Sequence, residues 1–108
     1  MMTFDDRERA FETKYAHDEE MKFRVTAHRN RLLGEWAAGL MGLSAVETEA
    51  YAKDVVRADF EEAGDEDVIR KLLGDLTNAG VDMDEGRIRE ALAHKFVEAK
   101  RQIMDAQG

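Results

Sequence analysis

Residues 42–60 read GLSAVETEAYAKDVVRADF. Gly42 is a natural stop for a preceding helix. Ser44 followed by Glu47 is a capping box, in which each side chain satisfies a backbone N–H that the helix start leaves without a partner. Beyond the cap, Ala45, Ala52, Val55, Val56 and Phe60 recur at helical spacing, with Tyr51 at the edge of the stripe. One helix therefore ends here and a second starts within a few residues, which leaves it room only to fold back on the first.

The same grammar extends in both directions. Upstream, Met21, Val25, Leu32, Trp36 and Leu40, widened by Leu33 and Ala37, predict a helix over 21–41. Downstream, Gly64 closes the second helix and Asp65 caps a third, whose stripe is Val68, Ile69, Leu72, Leu73 and Leu76. Asn78-Ala79-Gly80 stops it, and Asp82 or Asp84 caps a fourth with Ile88, Leu92, Phe96, Ala99 and Ile103 on one face. No stretch alternates strictly as a strand would, and the chain of 108 residues has no proline. The expected fold is all-α: a four-helix bundle over residues 21–108, preceded by a mobile, partly helical leader over residues 1–20.

Composition removes several function classes. The net charge of −8 is uneven: thirteen acids and four bases fall between Ser44 and Gly86, whereas Met1–Leu43 is nearly balanced at eight acids and seven bases. An acidic middle argues against a nucleic-acid surface. Without cysteine there is no disulfide framework, thiol nucleophile or thiolate metal site. Asp5, Asp6 and Glu8 stand where a signal peptide needs basic and then apolar residues, and the greasy run Leu32–Leu43 is too short to span a bilayer. A cytoplasmic protein with no direct membrane insertion is expected.

No reactive constellation stands out. Gly34-Glu35-Trp36-Ala37-Ala38-Gly39 has the glycine spacing of a phosphate loop, but Leu40 and Met41 replace the required Lys and Ser/Thr, so small residues for close helix packing explain it better. Asp82-Met83-Asp84-Glu85-Gly86 opens like a calcium loop but has glycine at a ligand position, and reads as capping residues. His17, His28 and His94 are far apart, His28 and His94 being expected at the surface or its boundary. The carboxylates offer no distinctive acid/base pair, and Ser44 is used as a cap. Neither an enzyme, a metal site nor a cofactor is expected.

The leader has its own logic. At about 100° per residue Phe4, Phe11 and Tyr15 fall in one narrow stripe, too thin to hold a helix in a core. Thr3 can cap it, Asp5 and Asp6 suit a helix start, and Asp5–Arg9 is a favourable i,i+4 pair, but Glu8 and Glu12 repel. Such a segment is either a nascent helix awaiting a receptor for its aromatics, or an extension of the first helix into solvent.

The runs FDDRERAFETKYAHDEE (4–20), RVTAHRNRLLGEWAAGL (24–40) and GDEDVIRKL (64–72) give the chain an end-to-end resemblance to the zeta-type ATPase inhibitor subunit of alphaproteobacterial F-type ATP synthases, a family also described as a domain of unknown function. The resemblance implies a four-helix bundle behind a mobile inhibitory segment. That segment would fold into a helix between catalytic and non-catalytic subunits of the enzyme's head, near the central stalk, and block ATP hydrolysis. It implies a protein peripherally associated with membrane-bound ATP synthase. The residue types agree with the role. Phe4, Phe11 and Tyr15 would be anchors, Arg7, Arg9 and Lys14 would meet carboxylates, and Asp5 and Asp6 would complement the positive helix end. His17, at the junction and followed by Asp18, Glu19 and Glu20, is a candidate pH switch, because its protonation would favour an ordered helix there. Two other readings remain at this point. One is a bundle that senses a nucleotide or other metabolite, weak nucleotide binding being open. The other is an adaptor whose acidic second and third helices dock a basic partner.

Overall fold

The chain reverses where the cap places the turn. In the computed structural model, α1 (Phe4–Met41) ends at Gly42, in the left-handed region at φ 73°, and α2 (Ala45–Ala58) begins after Ser44. Ser44 Oγ accepts from Glu47 N at 3.2 Å and Glu47 Oε1 accepts from Ser44 N at 3.0 Å, so the capping box is complete. Then follow α3 (Glu66–Asn78) and α4 (Glu85–Gln107). The structure describes the backbone of residues 4–59 and 64–107 and the side chains of residues 19–59 and 64–106; among these residues there is no strand.

The core is aliphatic. Leu33 and Ala37 of α1 meet Val55 of α2, Val68, Ile69, Leu72 and Leu76 of α3, and Ile88 of α4, all buried. Trp36, Tyr51, Leu73 and Leu92 pack half-buried around them. α1 is the hub, packing most extensively on α2 and α4. Gly34 explains how closely α2 approaches, since a Cβ there would lie 2.7 Å from the Cα of Ala52. The glycine-spaced run is thus a helix-packing device inside α1.

Polar groups fix what the aliphatic contacts leave adjustable. Arg29 and Asn30 are buried, at 4 % and 0 % exposure, on a face where the sequence pattern marks only apolar positions. Arg29 Nη2 donates to Asn30 Oδ1 and to Asp65 Oδ1, both at 2.9 Å, and Nε donates to Asn30 Oδ1 at 3.1 Å. Asp65 precedes α3 as expected but makes no side-chain capping bond, because its carboxylate is turned to Arg29. Between α2 and α3, Tyr51 Oη donates to Asp75 Oδ2 at 2.8 Å, and Lys71 Nζ reaches the same oxygen at 3.0 Å. Burial first, and then the Asp75 carboxylate, raise the Tyr51 hydroxyl well above the usual phenol range, so it stays a donor.

Some boundaries and faces differ from expectation. The expected helix over 21–41 runs on through the partly helical leader to Phe4, the extension that the sequence left open, since nothing before Gly34 breaks it: there is no proline, and Ala, Glu, Lys and Arg are good helix formers. α2 stops at Ala58, well before Gly64, and Phe60 lies outside the described residues. Leu40, Ala45 and Phe96, assigned to buried stripes, are exposed. The four helices are too unequal in length for every turn of α1 and α4 to be covered.

Candidate functional site: the amino-terminal arm and its root

At about 1.5 Å per residue the 38 residues of α1 span roughly 57 Å. The 23 residues of α4 span roughly 34 Å. The molecule measures 66 × 27 × 22 Å, and its radius of gyration of 17.4 Å exceeds the about 13 Å of a compact chain of this length. Among the described side chains of α1, Val25 is the first buried one; Glu19, Glu20, Lys22, Phe23 and Arg24 are exposed and Met21 is half-buried. The amino-terminal part of α1 is thus an arm leading away from the bundle.

Phe4, Asp5, Asp6, Arg7, Arg9, Phe11, Lys14, Tyr15 and His17 all belong to this arm, and their backbone is helical; their side chains lie outside the described residues. Helical backbone puts positions 4, 11 and 15 on one line to within about 40°. Positions 7 and 14 fall on a neighbouring line about 60–80° away, and position 9 on the far side. The helix therefore groups the three aromatics with two of the bases and separates Arg9 from them. Asp5 and Asp6 occupy the first turn, where the dipole favours negative charge. His17 lies one turn before Met21.

The arm's root carries a feature that the sequence pattern hides. Met21, Lys22 and Val25 of α1 and Phe96, Lys100 and Met104 of α4 line an open, mainly apolar groove of about 650 Å³. Because α1 and α4 run antiparallel, the carboxyl-terminal half of α4 lies beside the root, where His28 Nε2 also meets Gln102 Oε1. The stripe of Ile88, Leu92, Phe96, Ala99 and Ile103 gives no sign of it, because Lys100 and Met104 lie beside that stripe and not in it.

The other candidates resolve as structural parts. Asp84 Oδ1 accepts from Arg87 N at 2.8 Å, and the carbonyl of Asp82 accepts from Arg87 Nη1 at 3.3 Å, so this run caps α4. Among the described residues no group of three or more His, Asp and Glu is placed to hold a metal, and no helix is long and apolar enough to cross a membrane.

The described residues thus form an all-helical bundle whose first helix runs on as an arm. The chain belongs to the ATPase inhibitor subunit zeta family, whose model matches residues 1–102. A structure solved in solution by NMR is 46 % identical, with a TM-score of 0.71 over 80 % of this chain and 98 % of that one. No curated protein matches.

Proposed function

We propose that the chain inhibits the F-type ATP synthase, blocking ATP hydrolysis by seating its amino-terminal arm as a helix between a catalytic and a non-catalytic subunit, beside the central stalk. Membership of an ATPase inhibitor subunit family supports the class of function. The observation that carries the mechanism is the continuity of α1, which joins the arm to the bundle without a break. An isolated helix of the arm's length is marginal because its first turn is costly to nucleate, with σ on the order of 10⁻³. Growing outward from a turn already held by the bundle avoids that step. Phe4, Phe11 and Tyr15 then supply apolar anchors, and Arg7 and Lys14 supply charge beside them. Arg9, on the far side, meets a second wall of the cleft, and Asp5 and Asp6 keep the helix start satisfied.

In this mechanism the protein does no chemistry. A helix wedged at a subunit interface stops that interface from changing shape, and rotation stops with it. The test is a titration into solubilised ATP synthase while ATP hydrolysis is followed. The parent chain is expected to abolish hydrolysis, and a Phe4→Ala, Phe11→Ala, Tyr15→Ala triple variant to leave it running. No effect of the parent chain at saturation would refute the assignment. The pH-switch role of His17 is tested in the same assay: inhibition by the parent should strengthen below about pH 6.5, and His17→Ala should remove that dependence.

A further inference from the structure

The large apolar side chains left exposed are not evenly spread. Phe23, Phe96, Val97 and Met104 collect at the end of the bundle from which the arm leaves, whereas Leu40 and Val46 lie by the α1–α2 turn. The groove of Met21, Lys22, Val25, Phe96, Lys100 and Met104 takes in Phe96 and Met104 of this first group. Its two charged lining residues, Lys22 and Lys100, are both bases. Elsewhere Arg29, Arg31, Lys71, Arg87, Arg89 and Lys95 each have a carboxylate within 4.0 Å. Among the described residues Lys100, like Arg24, Lys53 and Arg101, has no such partner, and Lys22 reaches only the exposed Glu19, at 4.0 Å. In a protein of net charge −8, an apolar groove edged by two weakly engaged lysines is a surface of the opposite sign.

We propose that this groove is a second docking surface, occupied by an acidic, amphipathic helix on the rim of the cleft that receives the arm. The inference rests on the inhibitor reading and extends it from the arm to the bundle. Three observations select this occupant. The groove lies between two antiparallel helices, and its α4 wall presents Phe96, Lys100 and Met104 at i, i+4 and i+8, a spacing that an apolar helix face matches. Lys22 and Lys100 at its edge call for carboxylates on that helix. Its position is continuous with the arm: Lys22 comes seven residues after Tyr15, on the line of Phe4, Phe11 and Tyr15. An arm over residues 4–20 reaches about 25 Å into a cleft. The bundle, 27 × 22 Å across, is then brought up against the mouth with this groove at the contact. A second foothold also raises the effective concentration of the arm, which three aromatic anchors and an ordering cost make necessary.

The experiment uses the full chain and three exposed substitutions. Lys100→Glu and Met104→Glu alter the groove; Val46→Glu, at the far end, is the control. Each variant is first shown to unfold at the parent's temperature, then titrated into the ATP synthase head while ATP hydrolysis is followed. Both groove variants should need about tenfold more protein for half-inhibition yet reach the parent's full inhibition at saturation. Val46→Glu should match the parent. Half-inhibition unchanged in both groove variants, with Phe11→Ala still weakening the parent, would overturn the groove while leaving the inhibitor assignment intact. No inhibition by the parent would overturn both. Concentration-dependent dimerisation of the parent that Met104→Glu abolishes would give the groove to a second copy of the chain and overturn the proposal as well.

Discussion

Three residues show where physical detail decides the sign of a substitution. Gly34 and Gly39 both sit inside α1, and replacing a helical glycine by alanine ordinarily stabilises by about 0.5–1 kcal/mol. At Gly39 nothing beyond the adjoining backbone of its own helix lies within 4 Å of the added Cβ, so Gly39→Ala should gain that amount in urea unfolding. At Gly34 the Cβ would overlap the backbone of Ala52, and Gly34→Ala should instead cost about 1–3 kcal/mol as α1 and α2 are forced apart. Asp65 offers a similar contrast. As a simple helix cap it would tolerate asparagine, because the two cap equally well. Since its carboxylate faces the buried Arg29 instead, Asp65→Asn should destabilise by about 1–3 kcal/mol, and a neutral result would return it to a capping role.

At the scale of elements, α1 matters most, and the mechanism depends on its continuity. A proline at position 20 removes a backbone donor and costs about 3 kcal/mol in a helix interior. Glu20→Pro should therefore raise the half-inhibitory concentration by about a hundredfold while leaving the bundle's unfolding temperature nearly unchanged, because Val25 is the first buried side chain among the described residues of α1. The other helices were legible from caps and stripes: the Ser44–Glu47 box, the stop at Gly80 and the Val68–Leu76 face all fall where the sequence places them. The start of α1 was not, since a thin stripe looks alike on a free helix and on an unformed one. The buried Arg29 and Asn30 escaped because a hydropathy pattern treats any polar residue as outward-facing. The arm's residues were readable as candidates from their type and spacing. The groove at its root was not, because it arises from α4 passing α1, a juxtaposition of residues more than seventy positions apart.

For the whole molecule, shape and charge give separate tests. A chain beginning at Glu20 should scatter X-rays with a radius of gyration near the about 12 Å of a compact body of its length, against 17.4 Å for the full protein. Acid should weaken the fold. Hydrogen bonds from Ser44 hold the Glu47 carboxyl below the usual value of 4.5, and the Arg31 hydrogen bond does the same for Glu49. Folded-state values lower than unfolded ones give stability that is present above about pH 4.5 and is lost as the pH falls through the folded values. Urea midpoints should therefore drop below pH 4.5, and less steeply in Glu47→Ala. The unbroken α1 has one more consequence, for angular phase. Arm and bundle share a single helix axis, so the azimuth of the aromatic line is locked to the faces of the bundle, as the bit of a key is locked to its bow. Inserting one alanine after Glu20 would turn the arm by about 100° and advance it by only about 1.5 Å, whereas inserting seven would lengthen it by about 10 Å and restore the azimuth to within about 20°. If both arm and groove touch one partner, what they share is an orientation, and a single inserted residue would spoil it without removing a single contact group.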